Sequence, residues 1–126
     1  MNRLEWQRDY RKSNGNASTK KYERTKKGKL MRTYRNMESR VKGIVKAKAH
    51  LYEGLDLLNR GDFYLWSLAD YSFNKLYDDW SLSNYPIGLS PSIDREDTSV
   101  GYIVGNIRWI THSENSRLGG LKRKDT

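Results

Sequence analysis

The chain contains no cysteine. Disulfide staples, thiolate nucleophiles and the cysteine-rich zinc sites that hold many small nucleases together are therefore excluded. Any bound metal has to rest on oxygen or imidazole ligands. No apolar run approaches the roughly 18 residues of a membrane span, and the opening "MNRLEWQRDYRK" lacks the apolar centre of a secretory signal. Both absences predict a soluble, intracellular protein with no membrane partner. Hydrophobic residues are also sparse, at 36% of the chain, against about 45–50% in an average globular protein. The core must then be modest and draw on the four Trp, nine Tyr and two Phe, each of which buries a large area. A length of 126 residues allows one domain, or one small domain with an arm.

Acidic residues are scarce in the first part of the chain. Residues 1–50 carry 16 Lys and Arg against 4 Asp and Glu, whereas residues 51–110 carry 4 against 9. Residues 111–126 return to a small excess of base, and the total is +9. A basic arm on a mildly acidic body suits a protein that grips a polyanion with one part and holds a cation in another. The alternative is a solubilising basic tail.

The first 20 residues contain the polar, glycine-bearing stretch "KSNGNAST" and read as a flexible arm or as two short pieces joined by a loop. From Thr19 to Ala49 the pattern is helical, with Gly28 as a possible break. Tyr34, Met37, Val41, Ile44 and Val45 recur at spacings of three and four and form one stripe. The basic residues Lys20, Lys21, Arg24, Lys26, Lys27, Lys29, Arg32, Arg35, Arg40, Lys42 and Lys46 occupy much of the remaining surface with almost no acid between them. They are candidate phosphate contacts. "HLYEGLDLLNRGDF" reads as a short extended or turn segment, and His50 within it as a helix-terminal or interfacial residue. Asp62 and Ser72 are expected to cap two further helices. Phe63, Trp66, Tyr71, Phe73, Leu76, Tyr77 and Trp80 would line the aromatic core between them.

The pattern changes after "NYPIGLSP". "PSID" reads as a short strand, "REDTSVGYIVG" as a turn-rich loop and "NIRWIT" as a second, alternating strand. Thr111 and Glu114 form a capping-box pair, so a helix should start at or just after Thr111. Strand, loop, strand and helix make a ββα unit, with the motif spanning residues 91–120.

The run from Pro91 to Asn115 resembles the HNH, or ββα-metal, endonucleases, in particular the small HNH and homing-type enzymes of bacteriophages. Ile93-Asp94 matches their first strand, Asn106-Ile107-Arg108-Trp109-Ile110-Thr111 their second, and Asn115 the position on the following helix. The resemblance implies that Asp94 and Asn115 hold one divalent cation, Mg²⁺ or Mn²⁺, and that Asn106 orients the catalytic residue of the first strand. One carboxylate and one amide oxygen make a hard, open site suited to such an ion. The residue after Asp94 is Arg95, where the family normally has a histidine that takes the proton of the attacking water. Guanidinium has no lone pair to offer and stays protonated, so Arg95 would instead clamp the phosphate or stabilise developing charge. The base would then be His112, Tyr102, Asp97 or a water polarised by the cation. Arg108 either faces the nucleic acid or partners an acidic residue.

The expected fold is α+β and mostly helical. It comprises a basic helical arm over residues 1–50, followed over residues 51–126 by an aromatic helical core and the ββα-metal unit. The expected function is metal-dependent hydrolysis of phosphodiester bonds in double-stranded DNA by a monomer or weak homodimer. The resemblance implies a phage protein acting in the cytoplasm of a bacterial host. The alternative is a catalytically degenerate HNH fold that binds DNA or RNA.

Overall fold

The structure, a computed structural model, describes residues 16–44, 46 and 49–124. Within "KSNGNAST", residues 12–15 lie outside these residues, as does Val45, whereas residues 16–19 are helical and not part of a flexible arm. The architecture is α+β. Helices α1 (Asn16–Glu23), α2 (Lys26–Val41), α3 (Ala49–Tyr52), α4 (Arg60–Ala69) and α5 (Tyr71–Leu82) precede strands β1 (Pro91–Arg95) and β2 (Ile107–Thr111) and helix α6 (His112–Lys124). A 3-10 turn, Ile87–Leu89, leads into β1. No helix among the described residues is long and apolar enough to cross a membrane.

The chain breaks between α1 and α2 because Thr25 caps α2, its hydroxyl accepting from the Gly28 N–H at 3.0 Å. Gly28 itself lies inside the first turn of α2. A Cβ there would stand 2.0 Å from the Tyr22 carbonyl oxygen, so the glycine allows α1 to rest on α2. At its other end α2 stops at Val41 rather than Ala49. Gly43 has φ +72°, and the Gly43 and Ile44 N–H groups bond back to the Arg40 and Ser39 carbonyls, the Schellman arrangement that closes a helix with glycine in the left-handed region. Ile44, expected on the apolar stripe, therefore lies beyond the helix and is exposed.

Helices α4 and α5 begin earlier than their expected caps. Asn59, not Asp62, caps α4 by accepting from the Asp62 N–H, and Asp70, not Ser72, caps α5 by accepting from the Phe73 N–H. A cap's side chain bonds to an N–H two or three residues onward, and each true cap precedes a second residue of similar chemistry.

Trp109 on β2 lies within the core. Its ring centroid is 4.6 Å from that of Phe73 and 5.9 Å from that of Phe63, and its indole N–H donates to the buried Ser67 hydroxyl at 3.1 Å. Leu30, Tyr34 and Met37 of α2 belong to the same buried cluster, together with Ile93, Tyr102 and Ile107. The basic helix thus shares the core of the aromatic helices, and no boundary near residue 50 separates two cores. Tyr71, expected inside, is exposed, because α5 presents Phe73, Leu76 and Trp80 inward instead.

Strands β1 and β2 pair antiparallel, with Asp94 opposite Arg108 and Pro91 opposite Thr111. Alternation along a strand sends successive side chains to opposite faces. Pro91, Ile93 and Arg95 therefore share the core side of β1, while Ser92 and Asp94 take the other. Helix α6 starts where the expected capping box lies, with the Thr111 hydroxyl accepting from the Glu114 N–H at 3.1 Å. The Glu114 carboxylate pairs with Arg117 instead of closing the box.

Candidate functional site

The loop between the strands is held from inside by two side chains. Asn106 donates through its amide to the carbonyls of Asp97, Val100 and Gly101 at 3.0, 3.2 and 2.9 Å, and accepts from the Asp97 N–H at 2.9 Å. Arg95 donates to the Thr98 and Val100 carbonyls at 2.8 and 3.1 Å. Its guanidinium carbon lies 4.4 Å from the centroid of the Tyr52 ring and 5.4 Å from that of Tyr102. Carbonyl dipoles and aromatic faces are what allow a guanidinium only 7% exposed to stay charged. The expected phosphate clamp at Arg95 is thus a buried loop anchor on the face opposite Asp94.

Tyr102 is also buried. Its ring stacks on Tyr52 with an interplanar angle of 1°, and its hydroxyl accepts from Arg40 at 3.3 Å. Burial pushes the phenol above its ordinary pKa, against the lowering effect of Arg40. A base needs the opposite shift, so Tyr102 is a packing residue. Gly101 makes this docking possible. A Cβ there would meet the Asp56 carbonyl oxygen at 2.1 Å, and the Tyr102 N–H donates to that same oxygen at 2.8 Å.

On the other face of the sheet, Asp94 is 5% exposed, and its Oδ2 accepts from the Arg108 Nε at 3.1 Å. The Arg108 side chain is 47% exposed, so it can leave this contact for solvent or for a ligand. Asn115 comes to the same face from α6. Its amide donates to the Ser92 hydroxyl at 2.7 Å and to the Ile93 carbonyl at 3.0 Å, which fixes the side chain beside the β1 backbone next to Asp94. Ser92, to which no sequence motif points, orients Asn115 from the position two before Asp94. Strand alternation is the one sequence signal that places it there.

The donor set fits a hard divalent cation in kind: a carboxylate and an amide oxygen on one side of the sheet. Among the described residues no group of three or more His, Asp and Glu side chains gathers that could hold a metal. An ion here would be held by two protein oxygens and would keep water on the rest of its shell.

The remaining candidates lie elsewhere. Asp97 sits at the loop surface, where hydrogen bonds from the Ser99 hydroxyl and N–H lower its pKa and so weaken it as a base. His50 is exposed on the short helix α3. His112 follows Thr111, whose partner Pro91 is three residue pairs from the Asp94–Arg108 pair, about 10 Å along the sheet at roughly 3.3 Å per residue. The His112 N–H donates to the Ser90 carbonyl at 2.8 Å, and its side chain lines an open groove of about 420 Å³ shared with Lys20, Glu23, Arg24, Lys29, Arg32, Trp80 and Tyr85.

The basic residues divide in two. Lys20, Lys21, Lys27, Arg35 and Lys46 are exposed. Others are engaged: Lys26 donates to Asn74, Arg40 to Tyr102, Arg32 pairs with Glu23 and Lys42 with Glu38. The expectation that acids hardly intervene on this surface is corrected by the last two pairs.

No family model matches the chain, and neither a curated protein nor a solved structure matches it.

Proposed function

We propose that the protein is a metal-dependent endonuclease of the HNH type that hydrolyses phosphodiester bonds in DNA. One observation supports the reading: the Asn115 amide, from the helix that follows the ββ pair, bonds to the Ser92 hydroxyl and the Ile93 carbonyl of the strand that carries Asp94, and Ser92 and Asp94 share a face of that strand. In this reading the Asp94 and Asn115 oxygens hold Mg²⁺ or Mn²⁺. Such an ion, when bound, offsets the charge that builds on the phosphorus oxygens and assists the leaving oxygen.

The chain's own residues supply the rest. Arg108, half exposed and on the same face, would take over the phosphate-clamping role that Arg95 cannot fill from the core side. Asn106 and Arg95 act as positioning residues by holding the loop rigid against Tyr52 and Tyr102. Exposed cations on α1 and α2 contact phosphates and position the duplex without reading sequence.

A second reading has its own observation. The Arg108 contact neutralises Asp94 without a metal, which would remove the repulsion between this carboxylate and phosphates in a protein that only binds nucleic acid. Incubation of supercoiled plasmid with the full chain in Mg²⁺, Mn²⁺ or chelator separates the two. Nicking that requires the metal supports the nuclease. A gel shift with no nicking in any metal supports the binding protein.

A further inference from the structure

The groove beside α1 is built unlike the rest of the basic surface. Arg24 lies 4.7 Å from the centroid of the Tyr85 ring and Lys29 lies 5.1 Å from that of Trp80, so two cations are held in place by aromatic faces rather than by carboxylates. The Lys29 amine also donates to the Ser90 hydroxyl at 2.6 Å. Its burial, reinforced by the nearby Arg32 charge, lowers its pKa against the opposing pull of Glu23. Glu23, the carboxylate lining the groove, is itself paired with Arg32. The lining therefore carries uncompensated positive charge.

Two further features mark the same place. Trp80 is 7% exposed, and its indole N–H has no hydrogen-bond partner among the described residues, a deficit that most native structures avoid. The wall next to it is strained: Asn84 and Tyr85 are consecutive non-glycine residues with φ of 63° and 61°. Asn84 closes α5 in the manner of a Schellman glycine, with the Tyr85 N–H bonding to the Trp80 carbonyl at 2.8 Å. The second left-handed residue goes beyond what that closure needs. It sets the Tyr85 ring edge-on to Trp80 at 5.0 Å and under Arg24. Strain of this kind persists where the surroundings over-determine it, and it clusters at ligand sites.

We infer that this groove is a dedicated phosphate seat, in which Arg24, Lys29 and His112 hold one backbone phosphate of a bound DNA strand at a fixed distance from Asp94. The inference rests on the proposed function for the identity of the strand and deepens it. His112 thereby becomes a phosphate contact at the far end of the sheet, not the base. Cations pre-set on aromatic rings lose little freedom on binding, and a partly desolvated lysine regains in the phosphate the counter-charge it lacks in the free protein.

The test is binding of a fluorescent duplex to the full chain in chelator, by anisotropy over a salt series, so that cutting plays no part. Removing one phosphate contact should lower the slope of log affinity against log salt by about 0.9. Arg24→Gln with Lys29→Gln should lower it by about one such step and weaken binding several-fold, while Lys75→Gln, outside the groove and paired with Asp79, should change neither. Arg24 is exposed, so Arg24→Gln alone keeps the fold and should move the slope in the same direction. Lys29→Arg should retain it. An unchanged slope and affinity in the double variant overturns the seat, as does a wild-type chain that does not bind duplex. An unchanged double variant overturns the seat and leaves metal-dependent nicking intact, and a wild-type chain that binds but never nicks leaves the seat intact, so the two ideas fail separately.

Discussion

Asp94 and Arg95 are neighbours in sequence with opposite fates. Strand alternation turns the first toward α6 and the second toward Tyr52 and Tyr102. That divergence was legible in principle, because adjacent strand residues never share a face. What could not be read was the acceptor set for Arg95, which comes from the Thr98 and Val100 carbonyls once the loop has folded. Tyr102 gives a pH prediction. Its folded pKa is raised by burial, so its contribution to stability is complete below the ordinary phenol value of about 10 and is lost as pH climbs through the folded value, where the unfolded chain releases the proton first. Tyr34, Tyr64 and Tyr77 shift the same way. Tyr102→Phe should therefore reduce, without abolishing, the fall in urea midpoint between about pH 9 and about pH 11, and should leave nicking within about twofold, since the phenol touches no reacting atom. Ser67→Ala should cost about 1–3 kcal/mol by stranding the Trp109 indole N–H, read as a lower urea midpoint with an unchanged slope.

At the scale of elements, the apolar stripes of α2, α4 and α5 and the ββα order were visible as periodicity, and the helix start at Thr111 as a capping pair. The helix boundaries were harder. Asn59 and Asp62 are both good cap residues, and so are Asp70 and Ser72, and only the three-dimensional path shows which side chain finds an N–H. Gly43 stops α2 although Ile44 and Val45 prolong the apolar pattern, because a glycine in the left-handed region closes a helix more cheaply than another turn of exposed apolar residues would extend it. Gly28 was legible as a break but acts through close approach to Tyr22. Gly28→Ala should push α1 off α2, leave the Trp109 core folded, and weaken DNA binding through the groove that α1 walls, measured by anisotropy beside a melting curve. Asn106→Ala should free the Asp97–Gly101 loop, cost about 1–3 kcal/mol, and lower nicking at saturating metal.

Across the whole molecule, the charge asymmetry of the sequence meets a single shared core. Lys29 of α2 bonds to Ser90, the residue before β1, and Asp94 lies near the other end of that strand. The apolar stripe with Tyr34 and Met37 was legible, but not that it packs with Leu30 into the same core as Phe63, Phe73 and Trp109, because periodicity shows which face is buried and not what covers it. That Arg108 partners an acidic residue was one of its two expected roles, but the choice of Asp94 depends on strand register. The central claim is that Asp94 works as a ligand for a catalytic cation rather than as half of a structural ion pair. Asp94→Asn keeps the size and shape of the side chain and removes its charge, so the decisive measurement is plasmid nicking by wild type and Asp94→Asn in Mn²⁺ at protein concentrations that shift the plasmid equally. The expected result is nicking by the wild type and a loss of at least about 100-fold in the variant with binding retained, on the order of 2.7 kcal/mol of transition-state stabilisation. Equal nicking by the two proteins, or none by either, would contradict the claim.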